Sequence, residues 1–299
     1  MKMIIRADDV GYTNVCNIGA FETIEHGVVT SADVMLDTPG TVDALERLKA
    51  LPWISVGWHA HFWGSPVLDP KQVSSLVIKE EGRIRFRKDL RTANDIVFEE
   101  ALMECRAQID RCIKILGKAP DTGGGSGGSS PLARAIGQTC EEYGIARNFA
   151  RRQSFVDGVM KFSEVSERWA SRKIYVLDPG PAYRELRTDS VTQVEQYDPY
   201  KYYAEDRAHL KEFPEDAIVE QSWHPGWVDY YVYRLGDYGP AARNFIVGRV
   251  MDVEALCSDR MKNWIKEKRI ELVNFRDALY GTSEYQNHLR LIRSDLCMI

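Results

Sequence analysis

The sequence has no uninterrupted apolar stretch approaching the length of a membrane span, so a helical membrane protein is not expected. It also lacks any long run of lysine and arginine, and its 39 basic residues against 44 acidic ones give a formal net charge of −5. That balance argues against nucleic acid or an anionic membrane surface as a partner. The N-terminus shows no basic segment, apolar core or small-residue cleavage site, so no secretory signal is read and a cytoplasmic address is expected. The six cysteines, Cys16, Cys105, Cys112, Cys140, Cys257 and Cys297, form no Cys-x-x-Cys pair and have no histidine at zinc-finger spacing. They read as small hydrophobes and reduced thiols, with Cys105 and Cys112 on the apolar face of one helix. No internal repeat is evident, which sets aside solenoids and propellers.

The composition is that of a globular protein, 44% hydrophobic and 28% charged, and 299 residues suit two average domains or one α/β barrel. Met3, Ile4 and Ile5 make a short buried-strand run that ends in Asp8 and Asp9, with Gly11 free to turn the chain. A helix is expected over Asn14–Glu25, closed by His26-Gly27, with His26 favoured by the helix dipole. Strands are then expected over residues 28–36, 53–62, 144–149, 173–177 and 270–275, and in a further stretch through Ile218 and Val219 that ends at His224. Helical spacing marks residues 41–51, 95–116, 131–143, 245–256 and 259–268. Strands alternating with helices imply parallel βαβ units in one sheet or barrel, forming a single domain over residues 1–299. Residues 64–91 read as a flap or insertion, and those beyond Gly281, from about 282, as a polar, partly disordered tail.

Residues 123–130 contain five glycines. Two readings stand level: a flexible linker, or a backbone nest that binds an anion or sugar oxygens at the following helix, although no Walker-type lysine is present.

Three expected strand ends carry hydrolytic chemistry: Asp8/Asp9, His59-Ala-His61 and His224. In His-x-His on a strand the two imidazoles share a face roughly 6.5 to 7 Å apart, a spacing that suits two ligands of one ion. An aspartate with two histidines leaves positions open for water and substrate on zinc, iron or another divalent metal. A second carboxylate can take a proton from water, and a further histidine can protonate a leaving group. Each motif alone has a plain alternative: Asp-Asp-x-Gly is a common surface turn, and a strand histidine among tryptophans can be a hydrogen-bonded core residue. His209 and His288 lie in charged segments and are given no role.

These residues resemble the YdjC-like carbohydrate deacetylases, a family that includes chitooligosaccharide deacetylase. The matching stretches are Ala7-Asp-Asp-Val-Gly11 with Asn17-Ile-Gly19, Val29-Thr-Ser-Ala-Asp-Val-Met35, Gly57-Trp-His59 with Gly64-Ser-Pro-Val67, Ala107-Gln-Ile109 before Gly117-Lys-Ala-Pro120, Trp223-His-Pro-Gly226 and Ile270-Glu-Leu-Val-Asn-Phe275. They run in the family's order over nearly the whole chain. The resemblance implies an α/β fold, a distorted (β/α) barrel of mostly parallel strands, a divalent metal such as zinc or magnesium, and removal of acetyl groups from N-acetylated sugars. It implies that Asp9 and His59 bind the metal, that Asp8 is the general base and that His224 is the catalytic histidine.

One departure stands out. After the proline at Pro120 the family carries an aspartate and a cluster of histidines that includes a metal ligand, whereas here Asp121 is followed by Thr122 and glycines. Either His61 enters the coordination sphere, or the metal is held more weakly, or activity has been lost or changed. The leading expectation is a metal-dependent hydrolase acting on a small carbohydrate, with Trp63 and Trp227 against the sugar. The alternatives are a sugar-binding or regulatory protein with an eroded metal site, recognising ligand through Trp58, Phe62, Trp63, Trp223 and Trp227, or a metal enzyme acting on another bond of a sugar derivative. Homo-oligomerisation is left open.

Overall fold

The strand that opens the chain, β1 (Lys2–Val10), lies within the sheet in the computed structural model, with a parallel partner along each side. The structure describes residues 1–80, 82–124, 128–157, 159–177, 186, 188, 190–233 and 240–298. From β1 the chain continues through α1 (Asn14–Glu25), β2 (Ser31–Val34), α2 (Thr41–Lys49) and β3 (Ser55–His59). A hairpin of β4 (Val77–Glu80) and β5 (Arg83–Phe86) precedes α3 (Phe98–Leu116), β6 (Thr122–Gly124) and α4 (Pro131–Glu142). A second hairpin, β7 (Arg151–Val156) and β8 (Val159–Phe162), leads to β9 (Ile174–Leu177), and α5 (Val191–Glu195) and α6 (Pro199–Ala204) lead to β10 (Ile218–Trp223). The chain closes with α7 (Tyr230–Tyr233), α8 (Pro240–Cys257), α9 (Asp259–Glu267), β11 (Glu271–Leu272), α10 (Phe275–Tyr280) and α11 (Glu284–Leu291).

The large sheet runs β6-β3-β2-β1-β10-β9-β7-β8, with β11 also paired to β1. Every pairing in it is parallel except β7 with β8. The α/β, mostly parallel architecture expected from the sequence is therefore present. Among the described residues no ladder joins β6 to β8 to close a barrel, although an isolated parallel bridge from Thr122 to Ala146 extends the path beyond β6.

Register explains how the sheet serves both a core and a site. Met3, Ile5 and Ala7 of β1 share a face with Ala32 and Val34, Val56 and Trp58, and Val219 and Trp223, and all of these belong to the main hydrophobic cluster. The opposite face alternates into polar residues: Arg6 and Asp8 on β1, Ser31 and Asp33 on β2, Ser55 and Gly57 on β3, and Glu220 and Ser222 on β10. One face packs on helices while the other collects chemistry.

The long helix α3 buries Ala101, Leu102, Cys105, Ile109, Cys112 and Leu116 at helical spacing and stops at Gly117, whose φ of 91° provides the left-handed cap. Cys105 and Cys112 are both fully buried, as read from the sequence. The 64–91 segment is stapled to α3 rather than free-swinging. The Glu104 carboxylate accepts from the Val67 and Leu68 amides at 2.9 and 3.2 Å, Glu100 accepts from the Ser75 amide at 2.7 Å, and Phe86 buries its ring against Phe62.

Three expectations change. Residues 144–149 do not form a strand, because Gly144 and Asn148 adopt left-handed backbone with φ of 68° and 51°. The last strand shrinks to Glu271–Leu272 because Asn274 and Asp277 form a reciprocal capping box that starts α10. Beyond Gly281 the chain forms α11 and is ordered by burial of Tyr285, Gln286 and Leu289, with the Tyr285 hydroxyl donating to the Val29 carbonyl at 3.2 Å. Thr122–Gly124 pair with β3, so the glycine-rich stretch enters the sheet there instead of linking domains; residues 125–127, where the nest reading falls, lie outside the described residues. Among the described residues no helix is long and apolar enough to cross a membrane.

Candidate active site

The register between β1 and β2 shifts between Ala7 and Val10, so that Asp8 and Asp9 together face the single residue Asp33. This is a β-bulge, and Asp9 occupies it with a φ of 60°. The irregularity breaks strand alternation, which lets adjacent carboxylates enter one site. The turn that follows is pinned by Asn17, whose side chain accepts from the Gly11 amide at 2.7 Å and donates to the Gly40 carbonyl at 2.9 Å and to Asp43 at 2.8 Å.

β3 brings His59 alongside. Its Nε2 lies 3.0 Å from Asp9 Oδ1 and its Nδ1 3.9 Å from Asp33 Oδ2. Gly57, two residues earlier, makes room for Asp33: a Cβ there would sit 2.0 Å from Asp33 Oδ1. His61 follows with Nε2 3.9 Å from Asp9 Oδ1, its ring edge-on to His59 and stacked on Trp63 at 4.3 Å between centroids. β10 delivers His224, with Nε2 3.9 Å from Asp8 Oδ2. Its loop lies against α1, where Gly19 is required because a Cβ would come within 2.6 Å of the Trp227 nitrogen. The structure thus brings Asp8, Asp9, His59, His61 and His224 together.

Two arginines that sequence reading missed hold the acids. Arg6 pairs with Asp8 (Nε to Oδ1, 2.6 Å) and lies 3.5 Å from Asp33 and 3.4 Å from Glu220. The fully buried Arg249 of α8 donates to Asp9 Oδ2. Arg6, Asp33 and Glu220 were legible as polar residues at alternate positions of otherwise apolar strands. Arg249 falls with Ile246, Val253 and Leu256 on one buried helical stripe, where a charge is the anomaly.

The electrostatics follow from burial and these pairs. Burial acts to raise the pKa of Asp9, but the Arg249 guanidinium and neighbouring His59 outweigh it and hold the acid well below the usual range. Burial raises Asp33 and pushes Glu220 up to about 7, with Arg6 only partly offsetting it. Burial would lower His59, but Asp8, Asp9 and Asp33 raise it instead. Burial lowers His224 to about 4, and lowers His61 well below its ordinary value with help from His59 and Arg91. Asp252 accepts from the His224 amide at 3.2 Å and from the Tyr197 hydroxyl at 2.9 Å, and burial carries it to about 7.

Asp9, His59 and His61 form one group that could hold a metal ion, and Asp8, Asp33 and His59 form a second. Asp9 Oδ1 and His59 Nε2 are both buried and lie 3.0 Å apart, a spacing at which the two atoms could share a cation. Four buried carboxyl groups, Asp8, Asp9, Asp33 and Glu220, face two guanidiniums, Arg6 and Arg249.

A cavity of about 450 Å³, lined among others by Tyr12, Trp63, Tyr231, Arg83, Arg85 and Arg111 but by none of the clustered acids and histidines, adjoins them through the stack of Trp63 on His61. Tyr12 lies 5.8 Å from Trp63 and 5.5 Å from Tyr231 between ring centroids, an aromatic wall that continues from His61. Of the aromatics considered from sequence, Trp58 and Trp223 are core residues, with the Trp58 indole donating to Gln108 at 3.1 Å, while Phe62 is buried and also lines the cavity. Trp63 borders the cavity, and Trp227 is half-buried and does not line it.

A model of the family described as YdjC-like protein matches residues 2–267. The chain is similar to a carbohydrate deacetylase 2 of Listeria innocua, with 25% identity over 280 residues that cover 93% of this chain and 98% of that one. It is 26% identical over 281 residues to a carbohydrate deacetylase of Enterococcus faecalis, covering 92% and 97% of the two chains. In fold it is similar to the crystal structure of a proposed cellobiose-phosphate cleavage protein from Enterococcus faecalis, with a TM-score of 0.62 and 21% identity over 92% of this chain and 98% of that one.

Proposed function

The chain belongs to the YdjC-like protein family, and on that premise we propose that it is a metal-dependent hydrolase that removes an acetyl group from an N-acetylated sugar. One observation carries the reading: the strand-end residues Asp8, Asp9, His59 and His224 converge in one cluster, which the stack of His61 on Trp63 joins to an aromatic-lined cavity. Active sites of parallel α/β sheets are expected at this end of the strands.

The donor set fits a divalent cation such as zinc or magnesium. Asp9 Oδ1 and His59 Nε2 would hold it, with His61 as a further side chain within reach. An ion bound there polarises an acyl oxygen and makes a water easier to deprotonate. Asp8, fixed by Arg6, takes the proton from the attacking water. His224, neutral because burial lowers it to about 4, receives that proton from Asp8, 3.9 Å away, and passes it to the departing nitrogen. Its position is held from behind by Asp252 through the backbone amide. Trp63 and the neighbouring tyrosines offer ring faces to a sugar. Arg83 and Arg111 of the cavity suit a sugar that also carries an anionic group, Arg85 being paired with Glu80.

A second reading, a sugar-binding protein on the same scaffold, draws on Gly124. It pairs with His59 across β3 and β6, where a side chain would face the site, and supplies none. Acetate release from N,N′-diacetylchitobiose, with and without a 6-phosphate, separates the two. Release by the wild type that is abolished in Asp8→Asn supports the hydrolase. Saturable binding without release by zinc-loaded protein refutes it.

A further inference from the structure

His59 and His61 stand two residues apart and reach toward the same carboxylate oxygen, yet their far nitrogens meet opposite environments. His59 Nδ1 faces the Asp33 carboxylate at 3.9 Å, and Asp33 is held by Arg6 and given room by Gly57. A metal-binding histidine characteristically directs its distal N–H at a carboxylate, which leaves the other nitrogen's lone pair for the ion. His61 Nδ1 instead lies 2.8 Å from an Arg91 guanidinium nitrogen. A guanidinium has donors and no acceptor, so Nδ1 must supply the lone pair, and the neutral ring then carries its proton on Nε2. That Nε2 is the atom turned toward Asp9 and the centre of the site.

We propose that the two histidines meet the site with opposite polarity: His59 offers a lone pair to the cation, whereas His61, its tautomer set by Arg91, offers an Nε2–H to the acyl oxygen of the substrate. His61 is then a hydrogen-bond donor to developing negative charge and not the replacement for the family's absent ligand. The ring is seated for this task. Trp63 stacks on one face at 4.3 Å and 21°, and the His59 ring meets it edge-on at 4.1 Å and 82°. Arg91 is a positioning residue, because it acts through the imidazole. The cation is left with Asp9 and His59 as its protein donors in this part of the site, with water and substrate completing its shell. Arg249 occupies Asp9 Oδ2, so the aspartate presents Oδ1 alone.

The inference rests on the hydrolase reading for its catalytic half only, and the experiment separates the halves. Zinc chloride is titrated calorimetrically into metal-free wild type, His59→Gln and His61→Gln, each checked for folding by circular dichroism. His59→Gln is expected to lose at least about 100-fold in affinity, while His61→Gln stays within about threefold of wild type. Long-range ¹H–¹⁵N spectra of the metal-free protein are expected to show His61 with its proton on Nε2, and to keep that pattern when zinc is added and His59 shifts. In turnover, His61→Phe is expected to lower kcat about 10²–10³-fold with KM little changed, and His61→Gln, which keeps a donor, to recover part of it. Equal loss of zinc affinity in His61→Gln and His59→Gln, or an Nδ1–H tautomer at His61, overturns the assignment. The expected zinc and tautomer results together with no acetate release by wild type would uphold the opposite polarity while removing the hydrolase reading.

Discussion

Gly57→Ala tests whether Asp33 orients His59. Gly57 pairs with Asp33 on one side and with Thr122 on the other, and an added Cβ would lie 2.0 Å from Asp33 Oδ1, 2.7 Å from its Cγ and 2.8 Å from Thr122 Oγ1. The Asp33 side chain is short, buried and flanked by Arg6 and His59, so it can yield only by rotating out of its place between them. Overpacking of this kind costs about 1–3 kcal/mol, and replacing a strand glycine returns roughly 0.5–1 kcal/mol of chain entropy. The expected net loss is about 1–2 kcal/mol by urea denaturation of the metal-free protein. Removing the carboxylate partner of a metal-binding histidine lowers metal affinity about 10–100-fold, so zinc affinity is expected to fall by that factor. The double variant Gly57→Ala/Asp33→Ala supplies the decisive comparison, since truncating Asp33 frees the space. Its stability should recover relative to Gly57→Ala alone, while zinc affinity stays low, a non-additive pattern that neighbours in contact produce. Wild-type zinc affinity in Gly57→Ala, or simple addition of the two stability losses, would refute the reasoning.

Gly124→His is expected to raise zinc affinity at least about tenfold, because residue 124 pairs with His59 on the same face and nothing lies within 4 Å of a Cβ there; unchanged calorimetric affinity counts against it. Metal-free protein is expected to lose stability as pH rises from about 5 to 8. Glu220 has its folded pKa raised by burial to about 7, so its contribution is fully present below the unfolded value and is lost through pH 7. That contribution is about 3 kcal/mol, and Glu220→Gln should flatten this part of the urea stability profile. Tyr285→Ala removes a ring that is 3% exposed and a hydroxyl bonded to the Val29 carbonyl, so a loss of about 3–5 kcal/mol is expected by urea denaturation; a change within about 0.5 kcal/mol would show that the C-terminal helix is dispensable.

Much of the frame was legible because its signals are local. The run Met3-Ile4-Ile5 before Asp8-Asp9 announced a buried strand with acids at its end, and the helical spacing of Cys105, Ile109 and Cys112 announced a core face; both are found. What the sequence concealed depends on partners distant along the chain. Glu104 falls on the apolar face of α3 with no local sign that loop amides of Val67 and Leu68 wait for it. The C-terminal residues look polar in isolation, and contacts with distant parts of the chain, among them β11 and the Val29 carbonyl, order them. Arg249 could be flagged as a charge on an apolar stripe, but its partner Asp9 lies 240 residues away.

The two histidines carry this lesson into the chemistry. His-x-His on a strand is a symmetric motif, and strand geometry alone gives both rings the same claim on an ion. The asymmetry comes from Asp33, 26 residues before His59, and Arg91, 30 residues after His61, which reach the two distal nitrogens from different elements. On the proposed reading, a carboxylate facing one Nδ1 at 3.9 Å and a guanidinium 2.8 Å from the other favour opposite proton positions on identical rings. Hydrolysis of an amide needs both kinds of group at one point, a lone pair to hold a cation and a donor to meet charge on the acyl oxygen. A site short of one family ligand can therefore still present a complete set of functions, provided that the second histidine is read by what holds its far side and not by its spacing.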